Sequence, residues 1–112
     1  MPNSVDKIGD YAFYMCNSLK TISVPNSVFI IGNNAFKGVK NVVYTGSATG
    51  SPWGAMVVNG VVDGDFVYAD NTKTILKAYI GTSTNVAIPN SVTTIGNDAF
   101  SGCGGLTSVV IP

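Results

Sequence analysis

The sequence predicts a predominantly β repeat solenoid, and three observations carry that prediction. A phrase recurs: Pro2-Asn3-Ser4-Val5, Ile8-Gly9, Ala12-Phe13, Cys16, Leu19, Ile22 and Val24-Pro25 return as Pro89-Asn90-Ser91-Val92, Ile95-Gly96, Ala99-Phe100, Cys103, Leu106, Val109 and Ile111-Pro112. A shortened copy runs from Pro25-Asn26-Ser27-Val28 through Ile31-Gly32 to Ala35-Phe36, and the full period is 23 residues. Repetition at such a period marks coils that bury their apolar faces only by stacking on one another. Finally, Leu19-Lys20-Thr21-Ile22-Ser23-Val24 alternates apolar and polar, as a half-buried strand does.

Each element of a coil follows from its residues. Ile22 and Val24 point inward, with Thr21 and Ser23 outward. The next proline lacks a ladder donor and ends the strand. Asn-Ser turns the corner, and Val92-Thr93-Thr94-Ile95 makes a shorter extended run. Gly96 supplies a bend that a side chain would obstruct. A single helical turn is expected at each Ala-Phe pair, with Ala where backbones crowd and Phe plugging the core.

The apolar residue closing each strand sets the register: Met1, Val24, Tyr44, Tyr68, Ile88 and Ile111, spaced 23, 20, 24, 20 and 23 apart. This predicts one solenoid over 1–112, in five coils at about 1–24, 25–44, 45–68, 69–88 and 89–112, cut from a longer array. The central two are irregular, with Ala55-Met56 and Ala78-Tyr79 in place of Ala-Phe. Stacking then puts Ile22, Val42, Phe66, Val86 and Val109 in one inward column, and Val24, Tyr44, Tyr68, Ile88 and Ile111 in the next. A rival reading places hairpins in the centre. Val57-Val58-Asn59-Gly60-Val61-Val62 carries a two-residue turn signature, and Asp70-Asn71-Thr72-Lys73 is a second candidate turn.

The motif Pro-Asn-Ser-Val-x-x-Ile-Gly-x-x-Ala-Phe-x-x-Cys-x-x-Leu-x-x-Val-x-Ile-Pro closely resembles the leucine-rich repeat of the Treponema pallidum type, found in BspA-like surface proteins. Tyr44-Thr45-Gly46 followed by Trp53, and the run from Phe66 to Gly81, resemble spacer coils of that family. Lys37-Gly38-Val39 departs from the pattern by running three residues short and lacking the Cys, which predicts a local narrowing. The resemblance implies a leucine-rich-repeat solenoid from a cell-surface or secreted protein of host-associated bacteria or parasitic protists. It also implies adhesion to host matrix proteins or to other cells.

Composition narrows the function. Six Lys balance six Asp, with no Arg, Glu or His. No basic stripe is available for nucleic acid, and no apolar run approaches the roughly 20 residues of a membrane span. Without His there is no Ser-His or Cys-His pair, so no catalytic residue, enzyme activity or cofactor is predicted. Asp6, Asp10 and Asp98 read as solvated corners. Asp63-Gly64-Asp65 with Asp70 offers oxygen ligands for calcium, but turn chemistry accounts for it equally well. Gly102-Cys103-Gly104-Gly105 lacks the Lys-Ser/Thr of a phosphate loop. Cys16 and Cys103 occupy the same position of distant coils. At about 4.8 Å per step they exceed the roughly 7 Å limit for a disulfide, so buried free thiols are expected.

The outward strand positions remain as candidate protein-binding residues: Ser23, Val43, Val67, Ala87 and Val110, flanked by Thr21, Asn41, Asp65, Asn85 and Ser108. An uncharged, partly apolar stripe suits a protein partner; β propensity alone also explains it. Trp53 is either an exposed anchor or, preferably, a plug under the Ala55-Met56 turn. The alternatives to an interaction module are a structural spacer and a calcium- or carbohydrate-dependent binder. The apolar open strand Val109-Val110-Ile111 adds the expectation of end-to-end self-association.

Overall fold

Residues one repeat apart pair side by side in a computed structural model that describes residues 1–16 and 18–112. The chain divides into two units, Met1–Asn59 and Gly60–Pro112.

The first unit contains β1 (Lys7–Ile8), β2 (Thr21–Ser23), β3 (Ile30–Ile31), β4 (Asn41–Val43) and β5 (Val57–Val58). Its main sheet runs β2-β4-β5, all parallel, with Ile22 beside Val42 and Val42 beside Val58. The short sheet pairs β1 with β3 in parallel, Ile8 beside Ile31. The rung after Val42 is therefore Val58, where the sequence register placed Phe66.

The helical turn expected at Ala-Phe does not form. Tyr11 and Met15 adopt left-handed φ of 57° and 58°, which a right-handed helical turn excludes. A chain of separate turns takes its place, and its amides alternate in use. Those of Ala12, Tyr14 and Cys16 bond three residues back, to Gly9, Tyr11 and Phe13. Those of Tyr11, Phe13 and Met15 bond the next coil, at the carbonyls of Asn33, Ala35 and Lys37. The turn thus has an inter-coil ladder of its own, like the strands. In the shortened coil, the Val39 amide bonds Phe36 as Cys16 bonds Phe13, and β4 begins two residues later.

Aromatic rings fill the space behind the turns. Phe13 stacks on Phe36 at 5.5 Å, and Trp53 meets Phe36 and Tyr44 edge-on at 6.4 and 5.6 Å. Trp53 is buried and its Nε1 donates to the Thr49 carbonyl at 2.7 Å, so it is a plug. Its carbonyl accepts the Phe36 amide just as that of Ala35 accepts Phe13. Trp53-Gly54, not Ala55-Met56, occupies the Ala-Phe station.

In the second unit, β6 (Val61–Asp63), β7 (Phe66–Tyr68) and β8 (Ile75–Tyr79) form an antiparallel meander, joined by the Gly64-Asp65 and Asp70–Lys73 turns. The hairpin reading therefore holds for this segment. Its first turn lies at Gly64-Asp65 and not at Asn59-Gly60, because Val57–Val58 is committed to β4. The parallel pattern then resumes. Here β8 pairs β10 (Thr94–Ile95), and β9 (Asn85–Ala87) pairs β11 (Ser108–Val110), Val86 beside Val109. Tyr79 takes the Phe station: its amide bonds Ala99 and its ring lies 5.8 Å from that of Phe100. Tyr68, Leu76, Ile88 and Val92 form this unit's core. Ile111, expected inward, is 62% exposed. Cys16 and Cys103 form no disulfide and are half-buried, not fully enclosed.

Candidate functional site

Strand alternation sets which side chains reach solvent, and neighbouring strands then remove some of them. In the first unit Thr21, Ser23 and Val43 are exposed, Val43 by 40%. Asn41 is fully buried: it lies in the central strand, between Thr21 and Val57, and is withdrawn from the predicted face. Val67 is withdrawn too. It runs antiparallel between Val62 and Ala78 and has no exposed surface, so it is no rung of a parallel face.

In the second unit Asn85, Ala87, Ser108 and Val110 are exposed on adjacent strands. Asp65 is also exposed, at the meander's first turn. Ser108 Oγ donates to Asn85 Oδ1 at 2.6 Å, and Thr107 Oγ1 donates to the Thr84 carbonyl at 3.0 Å. These bonds fix a polar border. Beside it Ala87 pairs with Val110, whose side chain is 62% exposed. Such a surface holds few charges to desolvate and few side chains to immobilise, which lowers the cost of docking a partner.

The acidic cluster is engaged internally. Asp63 Oδ2, at the end of β6, accepts Lys73 Nζ, from the meander's second turn, at 2.6 Å. Asp70 accepts the Thr72 amide at 3.0 Å and the Thr72 hydroxyl. The Thr72 bonds hold the Asp70 carboxyl below its ordinary value, and the bond that Lys73 donates to Asp63 holds its ammonium above its own. Burial, with the charge of Asp63 adding to it, raises the Tyr68 phenol. No three His, Cys, Asp or Glu side chains among the described residues converge on a metal position.

Two surfaces of the first unit escape sequence reasoning. Phe29 and Ile30 are exposed on the short-strand side, with Lys7 Nζ 5.9 Å above the Phe29 ring. A groove of about 590 Å³ also opens at the glycine corner, lined by residues from three separate stretches, among them Tyr11, Asn33, Asn34, Thr49, Pro52 and Trp53. No local motif connects those stretches; only the register of stacking brings them together.

Short parallel strands on two sides of the regular coils, laddered turns and stacked aromatic rings define a leucine-rich-repeat solenoid. The family model for the BspA type leucine rich repeat region matches residues 1–46 and 76–112, in six copies. The chain belongs to the BspA-type leucine-rich repeat family. Repeats of this kind build protein-interaction modules, typically in bacterial surface proteins. A leucine-rich repeat protein from Eubacterium ventriosum ATCC 27560, of known crystal structure, is similar at 28% identity over 96% of this chain, with a TM-score of 0.49. This chain spans 36% of that protein's length. No curated protein matches the sequence. Among the described residues no helix is long and apolar enough to cross a membrane.

Proposed function

We propose that the chain is a non-catalytic interaction module of a cell-surface or secreted protein, adhering to a host or partner protein through its exposed strand faces. One observation carries the reading: Val110 stands 62% exposed beside Ala87, on a strand pair whose polar border is fixed by hydrogen bonds. In the first unit Ser23 and Val43 present a smaller surface of the same kind. An exposed β-branched residue on a rigid, uncharged strand pair suits a partner's apolar side chain.

The test is binding to immobilised fibronectin, laminin and collagen by the wild-type chain and by Val43→Ser and Val110→Ser variants. Loss of one well-packed valine should weaken binding by about tenfold. Val67→Ser is no binding probe, because Val67 is buried; it should act on stability alone. A structural spacer would bind none of these proteins before or after substitution, and that result would overturn the adhesion reading.

A further inference from the structure

The groove of the first unit is lined by none of the strand-face residues. Tyr11 stands at its rim, 54% exposed, its ring packed edge-on against Tyr14 at 5.3 Å. Ile31 and Trp53 also line it and are themselves buried. Asn33, Asn34 and Thr49 supply its polar atoms. Among the described residues, no hydrogen bond to protein engages the side-chain amide of Asn33 or of Asn34. The Asn33 main chain, by contrast, is fixed on both sides: its amide donates to Asp10 Oδ1 at 2.8 Å and its carbonyl accepts the Tyr11 amide. The main chain carrying the Asn33 amide is thus fixed, while the amides of Asn33 and Asn34 keep their donors and acceptors for something else.

The rest of the lining explains why the groove stays open. Asn34, Gly50, Trp53 and Gly54 all take left-handed φ, at 52°, 93°, 52° and 86°. A Cβ on Gly54 would stand 3.0 Å from Lys37 Cα and 3.1 Å from Asn34 Oδ1. The floor is therefore set by main chain that inter-coil contacts hold in place. Such preorganisation lowers the ordering cost of binding. The volume, about 590 Å³, falls within the roughly 300–1,000 Å³ typical of small-molecule sites.

The chemistry of the lining selects the ligand class. No Lys or Asp side chain lines the groove, so it offers no counter-charge to a phosphate, a carboxylate or an ammonium. An Asn amide donates and accepts at once, which matches the paired hydroxyls of a sugar. An exposed tyrosine ring presents a flat apolar face to the C–H side of a pyranose, with its hydroxyl free at the tip. We propose that the groove bounded by Tyr11, Asn33, Asn34, Thr49 and Trp53 binds an uncharged saccharide of mono- to disaccharide size.

The test is an NMR titration of the full chain with maltose, cellobiose, lactose and N,N′-diacetylchitobiose. At least one should shift the Trp53 indole N–H and the Asn33 and Asn34 side-chain amides saturably. Tyr11→Ala and Asn33→Ala should each weaken that binding by about tenfold. Both side chains are exposed, so the variants keep the fold, checked by circular dichroism. Tyr11→Phe should retain affinity to within about twofold, since the ring face survives. Glucose 6-phosphate and glucuronate should bind no more tightly than the neutral sugars. The proposal is overturned if no neutral sugar shifts these signals, if the variants bind unchanged, or if a charged sugar is preferred. Because the strand-face valines lie outside the groove, Val43→Ser and Val110→Ser should leave the titration unaltered, and failure here leaves the adhesion reading standing.

Discussion

Glycine at the coil corner is a packing requirement where a preceding coil backs onto it, and substituting it tests the stacking directly. Gly9, Gly32 and Gly96 occupy the same repeat position, and none adopts a left-handed φ. A Cβ built on Gly32 runs into the backbone of the preceding coil, at the amide nitrogen of Asp10 and at its Cα, the latter 2.7 Å away. Restoring an ordinary contact of 3.4 Å at that Cα alone requires a displacement of 0.7 Å (3.4 − 2.7), and the nearer amide nitrogen requires more. That motion strains two hydrogen bonds, Gly32 N–H to Ile8 O at 2.8 Å and Asn33 N–H to Asp10 Oδ1 at 2.8 Å. Overpacking costs about 1–3 kcal/mol and each weakened bond about 1 kcal/mol or less. Gly32→Ala should therefore destabilise by about 2–4 kcal/mol, lowering the thermal midpoint by about 10 °C or more. Gly9 stands in the first coil of this chain, with no coil stacked against its Cβ position, so in this chain Gly9→Ala serves as the control and should change stability by no more than about 0.5 kcal/mol. Gly96, whose Cβ would meet Leu76 O at 3.1 Å, should fall between. Thermal melts of the three variants by circular dichroism decide the matter. If Gly9→Ala proves as damaging as Gly32→Ala, glycine serves backbone conformation and not coil contact, and the reasoning fails.

Further expectations follow from neighbouring features. Tyr44 Oη donates to Val28 O at 2.6 Å and accepts the Ala48 amide at 2.8 Å, with its ring folded over Gly46. Tyr44→Phe should cost about 1–3 kcal/mol in urea unfolding. Gly46→Ala should cost at least as much, because its Cβ would displace the ring and the same bonds. Trp53→Ala should cost about 3–5 kcal/mol, and the wild-type indole fluorescence should shift to the red on unfolding. The Asp70 carboxyl is held below its ordinary value, so its contribution is present above 3.8 and lost as pH falls through the lowered value. Lys73 is held above its ordinary value, so its contribution is present below 10.5 and lost as pH rises through the raised value. The stability difference between wild type and Asp70→Ala should thus be flat near neutrality and shrink in acid; that for Lys73→Met should shrink in strong base.

Where the repeat is spelled out, sequence determines pairing. Ile22 with Val42, Val86 with Val109, and Tyr79 at a Phe station all follow from counting residues. The centre resists the same treatment because alternation marks a strand without naming its partner or direction. Phe66-Val67-Tyr68 satisfies an inward column as well as it satisfies a hairpin. The tight turn at Gly64-Asp65, with Gly64 at φ of 60°, sends it antiparallel. The Asn59-Gly60 pair carries a hairpin signature, yet Asn59 is used otherwise. Its side-chain amide bonds both the amide and the carbonyl of Tyr44, each at 2.8 Å, as a neighbouring strand would. Left-handed Tyr11 and Met15 are residue types that give no warning of that conformation, so the helical turn was the natural expectation. Of the candidate face, the outward positions were legible, but Asn41 and Val67 lost their exposure to flanking strands that single-strand periodicity cannot register.

The laddered turn explains how coils in this chain erode without losing their stack. Alternate amides close the turn within a coil, and the intervening ones reach the next coil. Stacking is then secured by main chain on the strands and on the turn side alike. Side chains at the turn need only fill space, and Phe, Trp or Tyr serves, as Phe36, Trp53 and Tyr79 demonstrate. The strict demand falls instead on the corner, where coil backbones touch and a single Cβ on Gly32 is too much. Outward residues at strands and turns carry neither burden. The strand faces around Val43 and Val110, and the Tyr11 and Asn33 rim of the groove, are built from such residues, whereas the buried Ile31 and Trp53 beneath that rim belong to the core. Recognition in this fold can therefore change by substitution at those positions while the stack persists.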